Sequence, residues 1–264
     1  MNLLFWNLNR NSNIENYVAN IITEQSIDIA VFCEYNNVDF DKVCLLLDSH
    51  YSHHDGMGGC NKVTLLAQND ISVNVSREHS RYTIYTCIVN TTPYILTGAH
   101  LPDNSHSCAE DRKNVIRELI KDLTEQERKD HISNTIIVGD FNCNPFDEEL
   151  IQKDCFNAVL FKELIKSQET VTYSRKKYKR FYNPMIHYIS ENTMNYGSYY
   201  YGSGINALYW NCFDQVIVRK SLVDAIQSIK FCKSIKNLSL MNRLTPNDNI
   251  SDHLPLLINF ERIK

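Results

Sequence analysis

The apolar positions of the chain fall into short continuous runs, and several of those runs end directly on a polar residue. Leu3–Trp6 leads into Asn7-Leu8-Asn9, Ile29–Cys33 into Glu34, and Ile136–Val138 into Gly139-Asp140-Phe141-Asn142. Short runs rich in β-branched residues, without alternation, predict strands covered on both faces. On this basis strands are expected over 2–8, 27–33, 62–67, 71–76, 82–89, 93–99, 135–139, 213–218 and 254–260. Ile14, Tyr17, Val18, Ile21 and Ile22 recur at helical spacing and predict a helix over 13–25; 38–48 reads as another. Val115, Ile116, Leu119, Ile120 and Leu123 share one helix face, and Ser107 with Glu110 forms the capping-box pattern that would open that helix. The charged stretch 121–133 reads as exposed and 146–166 as short helices. Over 170–210 tyrosine, asparagine and glycine crowd in and the apolar period fades, which predicts a long surface insertion facing the substrate. Strands followed by helices recur in two halves. That order predicts two sheets packed face to face with helices outside, in a single catalytic domain over 1–264.

Composition narrows the class. The chain has 264 residues, 43% of them hydrophobic, enough for one large core. Its nine cysteines are odd in number and none sits at C-x-x-C spacing, so reduced, buried thiols are expected and a disulfide framework is not. The N-terminus runs straight into a strand, and no segment approaches the ~20 apolar residues of a membrane span. The expectation is a cytoplasmic protein without a cleaved signal or a membrane span. A net charge of −4 weighs against attachment to nucleic acid by bulk charge, so any such contact needs a local basic patch or bound cations. The dense basic run is Arg175-Lys176-Lys177-Tyr178-Lys179-Arg180, with Tyr173, Phe181 and Tyr182 close by. Cations interleaved with aromatics suit a phosphate backbone and stacked bases. Arg175, Lys176, Lys177 and Arg180 are therefore candidate substrate contacts; the plainer alternative is a solvated loop.

The polar residues at the strand ends carry the candidate chemistry. Hard oxygen ligands suit Mg²⁺, and Glu34, directly after a strand, is the leading ligand, with Asp140 and Asp252 as further carboxylates. Asn7, Asn9 and Asn142 can bind a phosphate or orient a water. His100 and His253 can neutralise phosphate charge or handle protons. Phosphoester hydrolysis needs this inventory: a cation, an oriented water and groups that stabilise the charged transition state. Each residue also has a plainer reading. Asp and Asn are common turn formers, Glu34 could be a surface carboxylate, and Asp214 a buried structural acid.

Six segments, in order along the whole chain, carry a resemblance: Trp6-Asn7-Leu8-Asn9, Asp28–Glu34, Thr97-Gly98-Ala99-His100-Leu101, Gly139-Asp140-Phe141-Asn142, Phe213-Asp214-Gln215-Val216 and Ser251-Asp252-His253. Together they resemble the endonuclease/exonuclease/phosphatase superfamily, the fold of pancreatic-type DNases. The resemblance implies a four-layered α/β sandwich of two packed, mainly antiparallel sheets flanked by helices. It implies Mg²⁺, with Mn²⁺ as a substitute, and hydrolysis of nucleic-acid phosphodiester bonds, DNA foremost, by in-line attack of an activated water. It further implies that Glu34 binds the metal with Asn7 and Asn9 beside it and Asp252 completing the carboxylates. Asp140 would position or deprotonate the water, and Asn142 and His100 would hold the phosphate. His253, oriented by Asp214, would contact the phosphate or serve in acid/base chemistry. One departure is Asn9, where some members carry Asp. The runner-up is the same chemistry on a small phosphorylated metabolite or phospholipid headgroup, and a third reading is a binding module without activity.

Overall fold

The structure, a computed structural model, describes residues 1–105, 107–191, 197–203 and 207–261. Its first eight strands are β1 (Asn2–Asn7), β2 (Ile29–Cys33), β3 (Tyr51–His54), β4 (Val63–Gln68), β5 (Ser72–His79), β6 (Tyr82–Val89), β7 (Thr92–His100) and β8 (Thr135–Asp140). Between them lie the helices α1 (Glu15–Glu24), α2 (Phe40–Leu46) and α3 (Ala109–Asp130). One sheet has the order Ile226–Phe231, Leu256–Phe260, β1, β2, β4, β3; the other has the order β5, β6, β7, β8, Asp214–Val218, Phe181–Tyr182, Ala158–Val159. Most neighbours are antiparallel. Of the parallel pairs, β1/β2 and β7/β8 are each joined by a crossover helix, α1 and α3, and Phe181–Tyr182 also runs parallel to Ala158–Val159. Both large sheets are thus mixed, and helices flank them.

The local reasons are visible in the burial pattern. All five residues of β2 are buried, as a strand covered on both faces requires. Val18, Ile21 and Ile22 of α1 are fully buried against one face of its sheet. Ile116, Leu119 and Leu123 of α3 pack on Ile84, Ile95 and Ile137 of the other sheet; each such side chain contributes about 1.5–3 kcal/mol. Between the sheets, a Cβ on Gly98 would come within 2.4 Å of a Val63 methyl and 2.8 Å of one on Val31. Only a residue without a side chain fits there.

Several expectations need correction. The cap of α3 lies one residue beyond the Ser107–Glu110 pair, since the Cys108 N–H donates to Asp111 Oδ2 at 2.8 Å. The stretch 121–133 is not uniformly exposed: Leu123, Gln126 and Glu127 are buried because α3 continues to Asp130 and keeps its inner face on the sheet. Residues 170–210 are not only surface. Phe181–Tyr182 is a strand of the seven-stranded sheet, and Met185, which opens a helix, is fully buried. Within this segment 192–196 and 204–206 lie outside the described residues. Strands β3 and Ile226–Phe231 had no clear sequence signal. The first is the polar edge Tyr-Ser-His-His; the second carries a register shift between Ile226 and Ser228 that breaks the alternation.

Candidate active site

The predicted polar residues meet at one edge of the sandwich because the strands that carry them end there. In β1 and β2, Asn7 is level with Cys33, which places Glu34 just beyond. In the other sheet His100 is level with Asp140, and Asp214 opens the antiparallel neighbour directly opposite Asp140. The two sheets then join through side chains, as Asn7 Nδ2 donates to Asp140 Oδ2 at 3.0 Å. Asn7, Glu34, His100 and Asp140 line a cleft of about 750 Å³, together with Asn9, Asn142, Asp252 and His253, while Asp214 is fully buried behind it.

Three of these residues turn the chain with left-handed backbone: Asn9 at φ 48°, Glu34 at 51° and Asn142 at 50°. Asn tolerates this region; Glu does not favour it, so Glu34 is held by its surroundings. The Arg10 N–H donates to the Glu34 carbonyl at 2.7 Å, and Arg10 Nε lies 3.2 Å from Glu34 Oε2. Asn142 is fixed at both ends: its N–H donates to Asp140 Oδ1 and its side-chain amide to the Leu101 carbonyl. Asn104 donates to the Asn142 carbonyl while accepting from Arg112, whose own charge is paired with buried Glu149. Ser251 Oγ donates to the Asn7 carbonyl and accepts from the His253 N–H, and Trp6 Nε1 donates to the His253 carbonyl. Ser198 Oγ accepts from the Asp214 N–H. Trp6 and Ser251 lie in segments that carry the resemblance, whereas Ser198, Asn104 and Arg112 went unpredicted, because a lone Ser, Asn or Arg has no spacing that marks it. The Tyr199 ring, 4.8 Å from that of His253, was at least flagged by the tyrosine-rich composition.

Two histidines of similar burial have opposite electrostatics. Burial lowers His100, and the nearby Asp140 charge does not compensate. Its Nε2 faces Glu34 Oε1 at 3.5 Å and Asp140 Oδ2 at 3.8 Å, while its buried Nδ1 has no hydrogen-bond partner among the described residues. Burial would also lower His253, but Asp214, bonded to its Nδ1 at 2.7 Å, and then Asp140 and Asp252 overturn this and raise it to about 10. Burial raises Asp140, against the pull of His253. Asp252 is raised by burial first and then by the Glu34 charge.

Asp140, Asp214 and His253 bring possible ligand atoms within 4.8 Å of one another, yet they make a poor metal site. The Asp214–His253 bond occupies Asp214 Oδ2 and His253 Nδ1, and Asp140 Oδ2 already accepts from Asn7. The donors that suit a hard cation are on the other side of the cleft: the carboxylates of Glu34 and Asp252, with the amide oxygens of Asn7 and Asn9. Two carboxylates close enough for one to raise the other are the arrangement a divalent cation relieves.

The basic run does not join this group. It forms a hairpin, Thr170–Tyr173 paired with Lys176–Lys179, and none of its residues lines the cleft. Arg175, Lys176 and Lys177 are exposed. Arg180 is 8% exposed and gives its guanidinium to the carbonyls of Gln168 and Thr170, so it braces the hairpin and is not available to a substrate. What the 170–210 segment does bring to the cleft is Tyr199, Tyr201, Leu208 and Tyr209. Among the described residues no helix is long and apolar enough to cross a membrane.

Known proteins share this architecture. Residues 4–253 match the model of the endonuclease/exonuclease/phosphatase family. A 3′-5′ exonuclease from Neisseria meningitidis superposes with a TM-score of 0.60 at 16% identity, covering 99% of this chain and 100% of its own. Truncated TDP2 from Caenorhabditis elegans gives 0.61 at 16%, covering 99% and 97%. A structure described as a 3′ phosphatase from Neisseria bound to a product DNA hairpin gives 0.55 at 15%, covering 99% and 100%. No curated protein matches the sequence. At these identities the superpositions show the fold, while the family match rests on the sequence over nearly its whole length. The chain belongs to the endonuclease/exonuclease/phosphatase family and is a hydrolase of phosphoester bonds.

Proposed function

We propose that the protein hydrolyses phosphodiester bonds of nucleic acid, DNA foremost, with Mg²⁺ bound by Glu34, Asp252 and Asn9. The observation that carries this reading is the setting of Asp140, a buried carboxylate fixed by Asn7 and by the Asn142 N–H and flanked by His100 and His253. A bound Mg²⁺ would supply Lewis-acid polarisation of the phosphoryl oxygen. Asp140, raised by burial, is poised to take the proton of the attacking water. The water oxygen forms the new bond to phosphorus as the bond to the leaving oxygen breaks in line, with no covalent enzyme intermediate. His253, held charged by Asp214, stabilises the added negative charge or protonates the leaving oxygen. His100, kept neutral by burial, offers a hydrogen bond without adding charge. Asn142 holds the phosphate from the side of β8. Neighbours described as a 3′-5′ exonuclease and as a protein bound to a DNA hairpin support the choice of nucleic acid.

A small phosphoester or a phospholipid headgroup is the second reading. It is favoured by one observation: no Lys or Arg is among the described residues that line the cleft. The test is cleavage of supercoiled plasmid, linear duplex, single-stranded DNA and RNA with Mg²⁺ or Mn²⁺, beside Glu34→Ala, Asp140→Ala and an EDTA control. Metal-dependent cleavage lost in both variants is expected. Cleavage of small phosphodiesters alone would move the assignment to the second reading.

A further inference from the structure

The cleft has two chemically different ends, and strand order sets them. One sheet runs β6, β7, β8, Asp214–Val218; the other runs β4, β2, β1, Leu256–Phe260. The two series lie side by side, because Asn7 of β1 bonds Asp140 of β8 and Glu34 after β2 faces His100 of β7. One strand further out are Lys62 and Arg81. Cys33 is paired with Val63, so Lys62 stands opposite Glu34; the His100 N–H donates to the Arg81 carbonyl, so Arg81 stands beside His100. Both are half-buried, and the charges of both act on His100. Arg10, its side chain 64% exposed, adds a third cation beside Glu34. In the opposite direction, past Asp140, come Asp214 and His253 and then an aromatic wall of Tyr199, Tyr201 and Tyr209 with Leu208 among them, and no cation is among the described lining residues.

We propose that the protein acts at nucleic-acid ends, with the chain of phosphates lying on Arg10, Lys62 and Arg81 and the terminal group beyond the scissile phosphate resting on Tyr201, Leu208 and Tyr209. This deepens the nucleic-acid reading and rests on it. A strand crossing the whole cleft would set its next phosphate against aromatic rings and carboxylates with no counter-charge. A strand that stops at the scissile bond meets cations on one side and a flat apolar surface, suited to a base, on the other. From Asp140 on β8, β6 is two strand spacings away, about 10 Å, the reach of a few nucleotides at most. The sequence could not show this rim, since Arg10, Lys62 and Arg81 are scattered and only the strand register gathers them.

The test uses the full chain in two arms. In an Asp140→Asn background, binding of a fluorescein-labelled single-stranded oligonucleotide is measured over a salt series. With a slope of about −0.7 per phosphate contact, adding Lys62→Gln and Arg81→Gln is expected to make it shallower by about 1.4. An unchanged slope, or the same loss from Lys176→Gln/Lys177→Gln instead, overturns the proposal. In the second arm the wild-type enzyme meets linear and circular single-stranded DNA of one sequence. Linear DNA is expected to be cleaved at least about tenfold faster; equal rates overturn end selection. Should the enzyme cleave neither form yet hydrolyse bis(p-nitrophenyl) phosphate, the nucleic-acid reading of the site fails. The binding slope then still decides the rim, an unchanged value overturning it and a shallower one supporting it.

Discussion

Asp214 is what separates two histidines that are otherwise alike in burial. Its bond to His253 Nδ1 outweighs desolvation, while His100 has no such partner and stays neutral. The folded value of His253, about 10, lies above its ordinary 6.5. Its contribution to stability is therefore complete below about 6.5 and lost as pH rises through about 10. Urea unfolding should show wild-type stability falling across that window, and Asp214→Asn should show a smaller fall. The same substitution should lower kcat about 10²-fold, and Asp140→Asn about 10³–10⁴-fold, in a metal-dependent cleavage assay. Asn7, Glu34, His100 and Asp140 were legible in the sequence because each follows an apolar run, and Asp214 and His253 because an apolar run follows each. The residues that hold them, such as Ser198 and the Arg112–Asn104 pair behind Asn142, were not, because their roles arise only from contacts across the fold.

At the level of elements, the close pairing of β7 and β8 depends on Gly139. A Cβ there would lie 2.0 Å from the Ala99 carbonyl oxygen, a backbone atom that cannot move aside. Gly139→Ala should cost about 1–3 kcal/mol in chemical denaturation and reduce activity as well, because Asp140 is the next residue. Helix α3 is tied to its sheet by a buried charge cluster. Glu127 lies 2.8 Å from Arg219 and 3.1 Å from Lys179, and it accepts from Thr135. Burial would raise Glu127, but Arg219 and Lys179 outweigh it and hold the carboxyl low. Glu127→Ala leaves the Arg219 charge buried and should destabilise the fold by about 3–5 kcal/mol, measured by urea denaturation. The buried strands and the amphipathic α1 were legible because covered strands and one-sided helices leave distinct periods. The tail of α3 was misread because its buried residues include the polar Gln126 and the charged Glu127, whose partner, Arg219, comes much later in the chain.

For the whole molecule, the cysteines lie as the composition predicts, while the basic run does not. Of nine free cysteines seven are buried, Cys44 is intermediate and Cys108 exposed. Burial raises the thiols of Cys33, Cys143 and Cys212 well above their ordinary value. A thiol reagent at neutral pH should therefore label one or two cysteines rapidly in the native protein and all nine in denaturant, as counted by intact mass. The basic run drew attention as the densest charge in the sequence, yet the fold sets it away from the cleft and spends Arg180 on its own hairpin. His100, Asp140 and Asp214 stand on a single rung across three adjacent strands. Inserting or deleting one residue within any of those strands would turn a reacting side chain to the other face of the sheet. The connections that carry the cationic rim and the aromatic wall face no such restriction. Lineages of this fold are then free to lengthen, shorten or replace those connections, exploring new substrates while the spacing of the chemistry is inherited unchanged.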